Sequence, residues 1–309
     1  MFKSLSKFEE DDVDFDITPH INQPLILPKR KFVNVSQVVS KEPHAIRIMH
    51  WNVLANSLCS PKAFPHVIDN RVLEEEFRFK LIQQEIHMYN PDILCVVEMD
   101  CHERLSEKLK GRYACKFVQK NYPEDEVKNG RRDGCALFYD KDRFDLLSSQ
   151  PLYYDKTKQA QIALYVTLKD LHSKKTFHVL STHLKAKIGH ESRREAQVKK
   201  LHAFIQQNNE KKHPCIITGD FNEIPSEKAI RYMTQSYTSI YPTTTMAITT
   251  YKKRDHESKR MIDYMFHTSN VKVAGYYQLP LPEELEYRLP TFNYPSDHLS
   301  LIAEVVLSS

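Results

Sequence analysis

The stretch Phe292-Asn293-Tyr294-Pro295-Ser296-Asp297-His298-Leu299-Ser300-Leu301 places a carboxylate and an imidazole side by side just before an apolar run. At the end of a strand, such a pair can face a shared phosphate or metal ion. Asp-His neighbours also occur by chance, and then they usually belong to a solvated turn. Asp297 and His298 therefore indicate a site only if other parts of the chain supply partners for them.

The composition predicts a globular chain without a membrane span. Of the 309 residues, 41% are hydrophobic and 27% are charged. No apolar run approaches the roughly 18 residues that cross a bilayer. The net charge of +4 permits a polyanionic partner without requiring one. The acidic run Glu9–Asp16 is unlike a signal or transit peptide, so the cytoplasm is the expected compartment, with a mitochondrial or nuclear pool left open.

One catalytic domain, residues 44–309, is predicted behind an N-terminal segment, residues 1–43, that is flexible or wraps the domain like a strap. The six glycines form neither a dinucleotide-binding fingerprint nor a P-loop, so any phosphate chemistry must rest on metal ions and side chains. The six cysteines are scattered without C-x-x-C spacing, which favours buried free thiols over disulfides or zinc ligands.

Apolar periodicity predicts about ten short strands with a few helices between them. Helical spacing favours a helix from about 72 to 89, stopped by Asn90-Pro91, and Ser192 with Glu195 forms a possible capping box for another helix. Strands are predicted at 45–51, 93–97, 134–140, 161–169, 175–182, 215–217, 261–266, 271–279 and 299–307, loops at 119–133 and 252–260, and a short helix starting at 225–226. This pattern predicts an α/β (α+β) fold of two packed sheets flanked by helices.

Six polar clusters share one property, because each lies at the end of, or inside, an apolar strand. They are Asn52, Glu98, His183 with Lys185, Asp220 with Asn222, Asp263, and Asp297 with His298. If the strand ends converge, the carboxylates repel one another unless a divalent cation neutralises them. Carboxylate, carboxamide and water oxygens suit Mg²⁺ or Mn²⁺ rather than Zn²⁺.

Ordinary interpretations compete with each cluster taken alone. A single Glu98 at a strand end is more often a surface acid or a helix cap, and Asp220-Phe221-Asn222 is compatible with a simple Asx turn. Asp263 is compatible with pairing to a core lysine, and an isolated His183 is usually a hydrogen-bonded structural histidine. The joint occurrence of all six clusters is what favours a site.

Phosphate ester hydrolysis gives each group a role. Glu98 is expected to hold the metal, while Asp220, held by Asn222, orients or deprotonates the attacking water. His298, polarised by Asp297, is expected to donate a hydrogen bond to a phosphoryl oxygen. The remaining two groups, His183 and Lys185, are expected to bind the developing negative charge.

The order of these motifs resembles the endonuclease/exonuclease/phosphatase superfamily over residues 44 to about 307. The stretches that carry the resemblance are 50–54, 91–98, 182–185, 219–222, 262–264 and 296–298. It implies a four-layer αββα sandwich with one or two magnesium ions. It also implies metal contacts from Asn52 and Glu98, and catalytic roles for His183, Asp220, Asn222, Asp263, Asp297 and His298.

Within that superfamily the chain is similar to the deadenylase-related branch, and the stretches 133–138, 182–186 and 289–301 favour its nocturnin group. There are two departures from the pattern. Met99 stands where valine is usual, and Lys187 stands where that group carries an arginine at the phosphate-binding edge. Because arginine binds phosphate as a fork and lysine as a point charge, Lys187 bears on the choice of substrate.

The resemblance implies an adenine-containing substrate. Removal of the 2′-phosphate from NADP(H) is the favoured activity, and 3′-5′ exoribonuclease activity on poly(A) RNA is the alternative. The low net charge argues against tracking a long phosphate backbone. An inactive RNA-binding adaptor is a remote third possibility, and no protein partner is predicted. A basic rim serves either substrate and comprises Arg131, Arg132, Lys185, Lys187, Lys252, Lys253 and Arg254.

Overall fold

The computed structural model describes residues 30–35, 44–155, 161–243, 247–253, 257–281, 285 and 288–308. Within these ranges the chain forms fifteen strands and five α-helices. The strands are β1 (Phe32–Asn34), β2 (Ile46–Asn52), β3 (Ile93–Met99), β4 (Tyr113–Gln119), β5 (Gly134–Asp140), β6 (Phe144–Tyr153), β7 (Ile162–Asp170), β8 (Thr176–His183), β9 (Cys215–Asp220), β10 (Thr238–Ser239), β11 (Thr250–Lys253), β12 (Glu257–Arg260), β13 (Asp263–His267), β14 (Val271–Tyr277) and β15 (Leu301–Leu307). The helices are α1 (Glu75–Tyr89), α2 (His102–Leu109), α3 (Glu124–Lys128), α4 (Glu191–Asn208) and α5 (Lys228–Met233).

Most strands belong to two mixed sheets. The seven-stranded sheet has the order β1-β14-β15-β2-β3-β5-β4, and the six-stranded sheet has the order β10-β13-β9-β8-β7-β6. Each sheet has one parallel pair among its described neighbours, β2 with β3 in the first and β8 with β9 in the second. All other neighbours in both sheets are antiparallel.

The two sheets face each other across a continuous apolar core, and helices cover their outer faces. The central strands β3 and β9 are buried runs of apolar residues, as expected for strands covered on both sides. Helix α1 packs on the seven-stranded sheet, where the Tyr89 ring lies 4.8 Å from that of Tyr277. Helix α4 packs on the other sheet, where Phe204 lies 5.6 Å from Tyr165. The predicted four-layer αββα sandwich is confirmed.

The predicted strands at 45–51, 134–140, 161–169 and 175–182 agree with β2, β5, β7 and β8 to within a residue at each end. The predicted helix at 72–89 is a 3₁₀ turn, Asn70–Leu73, followed by α1, and Asn90 ends it in the left-handed conformation with φ of 44°. In the part of the chain that the structure describes, no helix is both long and apolar enough to cross a bilayer.

Several predicted boundaries were wrong. Residues 252–260 were predicted as a loop, but the described part of that segment belongs to the β11–β12 hairpin. No Ser192 capping box forms, because α4 already begins at Glu191, and α5 begins at Lys228 rather than at 225–226. Strands β4 and β6 were not predicted. Strand β6 is a largely exposed edge strand that contains a proline, which removes the apolar pattern.

Residues 30–35 are part of the folded body. Strand β1 pairs with β14, and the buried Arg30 guanidinium forms an ion pair with Glu85 at 2.8 Å. Arg30 also donates to the carbonyl oxygen of Ser300 at 2.5 Å, so this segment is joined to the stretch that carries Asp297 and His298. Residues 1–29 and 36–43 lie outside the described residues, and the domain boundary at residue 44 stays a prediction.

Candidate active site

The carboxyl ends of the two parallel strand pairs meet at one edge of the sandwich. Strands β2 and β3 deliver Asn52 and Glu98, whereas β8 and β9 deliver His183 and Asp220, which are register partners. The Asn52 amide nitrogen donates to Asp220 Oδ2 at 3.0 Å and so connects the two sheets. Asp263 was predicted in the middle of a strand, but it is the first residue of β13, directly opposite Asp220. The predicted convergence of strand ends is therefore observed.

A β-bulge aims Glu98 into the cleft. The strand was predicted to end at Glu98. It continues to Met99, with a register shift between Val97 and Met99. Glu98 adopts φ of 54°, and this local turn redirects its side chain, as bulges near active sites commonly do. Its Oε2 accepts a hydrogen bond from the Ala55 amide at 3.2 Å. The side chain keeps 13% of its surface exposed, so it lies at the mouth of the site.

His183 lies between two carboxylates but is neutral. Its Nε2 is 3.9 Å from Glu98 Oε1 and 3.6 Å from Asp220 Oδ2. Burial, followed by the nearby Lys120 ammonium, lowers the pKa of His183 to about 4. Lys120 Nζ lies 3.1 Å from Nδ1, and an ammonium can only donate, so Nδ1 accepts and the ring proton sits on Nε2. His183 therefore presents an N–H donor toward the carboxylate side of the cleft.

A buried ion pair holds Lys120 in place. Its ammonium donates to Asp133 Oδ2 at 2.6 Å, and Tyr122 donates to Asp133 Oδ1 at 2.5 Å. Burial opposes ionisation of Asp133, but the Lys120 charge and these bonds hold its pKa below its ordinary value. The prediction of a surface loop at 119–133 was wrong for Lys120 and Asp133, which are both buried.

Asp220 and Asn222 form a tight local unit. The Asn222 amide donates to Asp220 Oδ1 at 2.9 Å, in the manner of an Asx turn, and Asn222 has φ of 54°. The Asn222 side chain donates to the carbonyl oxygen of Leu184 at 3.2 Å. Because Oδ1 is held by the backbone, Oδ2 is the atom that Asp220 turns toward Asn52, His183 and His298.

The carboxylate bonded to His298 belongs to Asp263. Its Oδ2 lies 2.8 Å from Nδ1 of His298 and accepts a second bond from the Thr249 hydroxyl at 2.7 Å. Burial opposes the charged form of His298, but Asp263, and then Asp297, raise its pKa above the ordinary value. The expectation that Asp297 polarises the ring directly is corrected, since the Asp297 carboxylate accepts from the Lys252 ammonium and makes the smaller contribution to this shift.

A third buried histidine of the site, His50, lies beside Asp263. Its Nε2 is 3.6 Å from Asp263 Oδ1, and neither of its ring nitrogens nor that oxygen has a hydrogen-bond partner among the described residues. His50 is fully buried on β2, immediately before the Trp51-Asn52 pair. Asp263 is thus flanked by two imidazoles.

Three side chains, Asp220, Asp263 and His298, form a candidate metal-binding group, with potential ligand atoms within 4.8 Å of one another. Asp263 and His298 are already paired, with Oδ2 and Nδ1 2.8 Å apart. The negative charges of Asp220 and the neighbouring Glu98 are therefore the ones that a cation would neutralise. Across the described ranges, no lysine or arginine nitrogen lies within 4.0 Å of a carboxylate oxygen of Glu98 or Asp220. Two such carboxylates beside the Asn52 amide fit an oxygen-preferring divalent cation.

The described members of the predicted basic rim lie on loops, except Lys252 and Lys253, which lie on strand β11. Lys185 and Lys187 lie on the turn after β8. The Arg194 guanidinium donates to the carbonyl oxygen of Lys185 at 3.0 Å and to that of Lys187 at 2.8 Å. Arg131 lies 4.9 Å from the centre of the Tyr122 ring, and Arg132 is exposed. Arg254 lies outside the described residues. No contact joins Lys185, Lys187, Arg131 or Arg132 to a carboxylate of the site among the described residues.

Helix α1 contacts the stretch around Asp297 and His298 through Arg78. The buried Arg78 guanidinium donates to the carbonyl oxygens of Pro295 at 2.7 Å and Val53 at 2.6 Å, and to Leu54 as well. Ser296 Oγ donates to the carbonyl oxygen of Asn52 at 2.6 Å. These bonds join the ends of the chain segments that carry Asn52 and His298.

The sequence interpretation missed Lys120, Asp133, His50 and Arg78. Asp133 stands directly before the apolar strand Gly134–Asp140, whereas Glu98 and Asp220 were identified at the ends of their strands. His50 lies inside an apolar strand, which is the signal that identified Asp263. Lys120, in a polar segment, and Arg78, on a helix with many charges, gave no such signal.

This fold and site define a phosphoesterase class, and a model of the Endonuclease/Exonuclease/phosphatase family matches residues 49–298. The chain is 33% identical over 306 residues to nocturnin of Xenopus laevis, covering 92% of this chain and 78% of that protein. The chain therefore belongs to the endonuclease/exonuclease/phosphatase family, in the branch of the nocturnins and deadenylases.

Two further comparisons describe this branch. The structure of the human nocturnin catalytic domain with bound sulfate superposes with a TM-score of 0.72 at 30% identity, covering 90% of this chain and 98% of that one. The Ccr4 3′-5′-exoribonuclease subunit of the CCR4-Not complex of Emericella nidulans is 24% identical over 163 residues, covering 50% of this chain and 22% of that protein.

Proposed function

We propose that the chain is a Mg²⁺-dependent phosphoesterase that removes the 2′-phosphate from NADP(H). The observation that carries the proposal is the convergence of Asn52, Glu98, His183, Asp220 and His298 at one edge of a sandwich whose family hydrolyses phosphate esters. The site offers paired carboxylates for a cation and imidazole N–H donors for an anion. Metal-assisted phosphate hydrolysis requires both kinds of group.

Glu98 and Asn52 are the residues that would hold the cation, with Mg²⁺ favoured and Mn²⁺ possible. A bound divalent cation polarises a phosphoryl oxygen and stabilises the leaving oxygen. Glu98 suits this role because the bulge presents it at the mouth of the site. The side-chain oxygen of Asn52, Oδ1, has two lone pairs and accepts one hydrogen bond, from the backbone amide of Leu54. Its second lone pair is available to a cation.

Asp220 is placed to orient or deprotonate the attacking water. Its Oδ1 is occupied by the Asn222 amide, so Oδ2 is the basic atom that faces the cleft. Asn222 acts through Asp220, by holding the carboxylate and by joining it to the turn after β8.

Two imidazoles are placed to bind the phosphoryl group. Asp263 occupies Nδ1 of His298, so Nε2 is the atom that faces the substrate. Lys120 occupies Nδ1 of His183 and leaves its Nε2–H to donate. Donors held in advance in a buried site stabilise charge that develops in the transition state. Arg131, Arg132, Lys185 and Lys187 would bind outlying phosphates of the substrate.

The choice of NADP(H) rests on the similarity to the nocturnin group and on the charge of the chain. The identity to a nocturnin is 33% over 92% of the chain, whereas two Ccr4 exoribonuclease subunits are 24% identical over 50% of it and 21% identical over 98% of it. A net charge of +4 favours a short dinucleotide over a long polyanion. The second candidate, a 3′-5′ exoribonuclease acting on poly(A), is favoured by the Ccr4 match itself.

A side-by-side assay separates the candidates. Purified protein with Mg²⁺ is incubated with NADPH or with oligo(A), and inorganic phosphate and AMP are measured. We expect phosphate from NADPH at a higher kcat/KM than AMP from oligo(A), and loss of release in Glu98→Ala. The matched control is Glu103→Ala, an exposed acid on α2. Faster AMP release would favour the exoribonuclease, and release of neither product, with Glu98→Ala equal to wild type, would favour an inactive adaptor.

The cytoplasm is the compartment we propose from the sequence, and imaging of the tagged full-length chain tests it. Accumulation in another compartment would contradict it.

A further inference from the structure

The β11–β12 hairpin brings a lysine beside the phosphate-binding histidine. Thr250 forms a β-bridge with His298, and its hydroxyl donates to the carbonyl oxygen of Asp297 at 2.8 Å. The Leu299 amide donates to the carbonyl oxygen of Thr249 at 2.7 Å. Strand β11 therefore runs against the 297–299 segment, and its position relative to His298 is set by backbone hydrogen bonds.

Lys252 on this strand reaches the catalytic imidazole. Its Nζ donates to Asp297 Oδ2 and lies 3.5 Å from Nε2 of His298. The Lys252 side chain is 15% exposed, so it is mostly enclosed but still reached by solvent. Because Asp263 occupies Nδ1 of His298, the ring atom that Lys252 approaches is the one that faces a substrate.

Lysine and imidazole together make a place for an anionic oxygen. An ammonium has three N–H donors and no acceptor, and Asp297 takes one of these donors. The 3.5 Å separation from His298 Nε2 is too long for a strong hydrogen bond. A non-bridging phosphate oxygen that accepts from both nitrogens would satisfy each of them better than they satisfy each other.

We propose that Lys252 is a further catalytic residue, which binds a non-bridging oxygen of the substrate phosphate together with His298, and that Asp297 holds it in position. The inference rests on the proposed phosphoesterase function and assigns Asp297 a role through Lys252. The alternative is that Lys252 only neutralises Asp297, a buried carboxylate with 2% of its side chain exposed.

Phosphate binding tests the inference without turnover. Trp51 is the single tryptophan of the chain, and its Nε1 donates to the carbonyl oxygen of His298 at 2.7 Å, so its fluorescence reports on this site. Inorganic phosphate is titrated into wild type, Lys252→Met and Lys259→Met, in EDTA and in Mg²⁺. Lys259 is the matched control because it lies on the paired strand β12, is exposed and is not part of the basic rim.

We expect Lys252→Met to weaken phosphate binding at least about 10-fold and to lower kcat/KM about 10²-fold, the usual loss for one donor to a developing oxyanion. Lys259→Met should stay within about 2-fold of wild type in both measurements, the range expected of an exposed substitution. Equal phosphate affinity in Lys252→Met and wild type would overturn the inference. If wild type hydrolyses neither NADPH nor oligo(A), but Lys252→Met still weakens phosphate binding, the proposed function and the catalytic role of Lys252 fail, and only its role in binding phosphate stands.

A measurement on the unmodified chain covers the case in which Lys252→Met does not fold. Lysine acetylation is followed by mass spectrometry with and without saturating phosphate. Phosphate should protect Lys252 and leave the exposed Lys259 unprotected. Equal acetylation of Lys252 under the two conditions would overturn the inference.

Discussion

Nδ1 of His298 lies 2.8 Å from Oδ2 of Asp263, although the two residues are 35 positions apart in the sequence. The pair is buried, and Thr249 and His50 contact the same carboxylate. This geometry fixes the orientation of the His298 ring and leaves Nε2 as its functional atom. Asp263 is thus the orienting carboxylate of the site, and Asp297 is the anchor of Lys252.

Replacing Asp263 by asparagine should lower kcat by about 10²- to 10⁴-fold, with a much smaller change in KM, because His298 loses the charge that orients its ring and favours its protonated form. Steady-state kinetics with the better substrate of the side-by-side assay measures the change. Asp145→Asn, at an exposed position of β6, should behave like wild type. A fully active, folded Asp263→Asn protein would refute the assigned role.

Lys120→Met should reduce the free energy of unfolding by about 3–5 kcal/mol, because it leaves the buried Asp133 carboxylate without its cation. Urea denaturation measures the loss, and the double variant Lys120→Met/Asp133→Asn should recover part of it. Lys128→Met, an exposed substitution on α3, serves as the control. A loss below about 1 kcal/mol in the single variant would show that the pair contributes little.

Arg78→Lys should destabilise the protein by about 2–4 kcal/mol, because a single ammonium cannot replace a guanidinium that donates to several acceptors at once. Activity should fall as well, since Arg78 joins the segments that carry Asn52 and His298. Melting temperature and kcat are both measured, with Arg104→Lys at the protein surface as control. Unchanged values for Arg78→Lys would mean that those segments hold their positions without it.

His178 should make stability depend on pH below neutrality. Burial lowers the pKa of His178 to about 4, and its ring bonds to Thr167 Oγ1 at 3.0 Å and Asn209 Oδ1 at 3.2 Å are satisfied in the neutral form. The unfolded chain, with a histidine pKa of about 6.5, takes up the proton first. Neutral His178 therefore contributes up to about 3 kcal/mol to the free energy of unfolding. This contribution is complete above pH ~6.5 and disappears as the pH falls toward 4.

Urea denaturation across this pH range tests the prediction for His178. The free energy of unfolding of His178→Gln should fall less steeply between pH 6.5 and 4 than that of wild type. His172→Gln, at an exposed position, should retain the wild-type slope. Equal slopes for His178→Gln and wild type would contradict the assignment.

The fold was predictable because its central strands are uninterrupted apolar runs that end in polar residues. The run at 93–97 and the run at 215–217 identified β3 and β9, and the acids beyond them identified Glu98 and Asp220. Edge strands such as β6 were not predictable in this way, since water on one side removes the apolar signal.

The pairings within the site were not predictable from the sequence. Asp297 neighbours His298 in the chain, but consecutive side chains diverge, and the ring turns toward Asp263 instead. Lys120 and Asp133 meet only because the register of the β4–β5 hairpin, with Gln119 opposite Gly134, places them side by side. Such contacts depend on strand register, which local periodicity does not contain.

The most direct test of the central claim is phosphate release from NADPH, followed by ³¹P NMR, in wild type and Glu98→Gln over a series of Mg²⁺ concentrations. The claim is that a cation held at Glu98 supports hydrolysis of a phosphate ester at this site. The predicted result is release by wild type that saturates with Mg²⁺ and stops in EDTA, with at least about a 10²-fold lower rate in Glu98→Gln. Release that continues in EDTA, or equal rates in the two proteins, would contradict the claim.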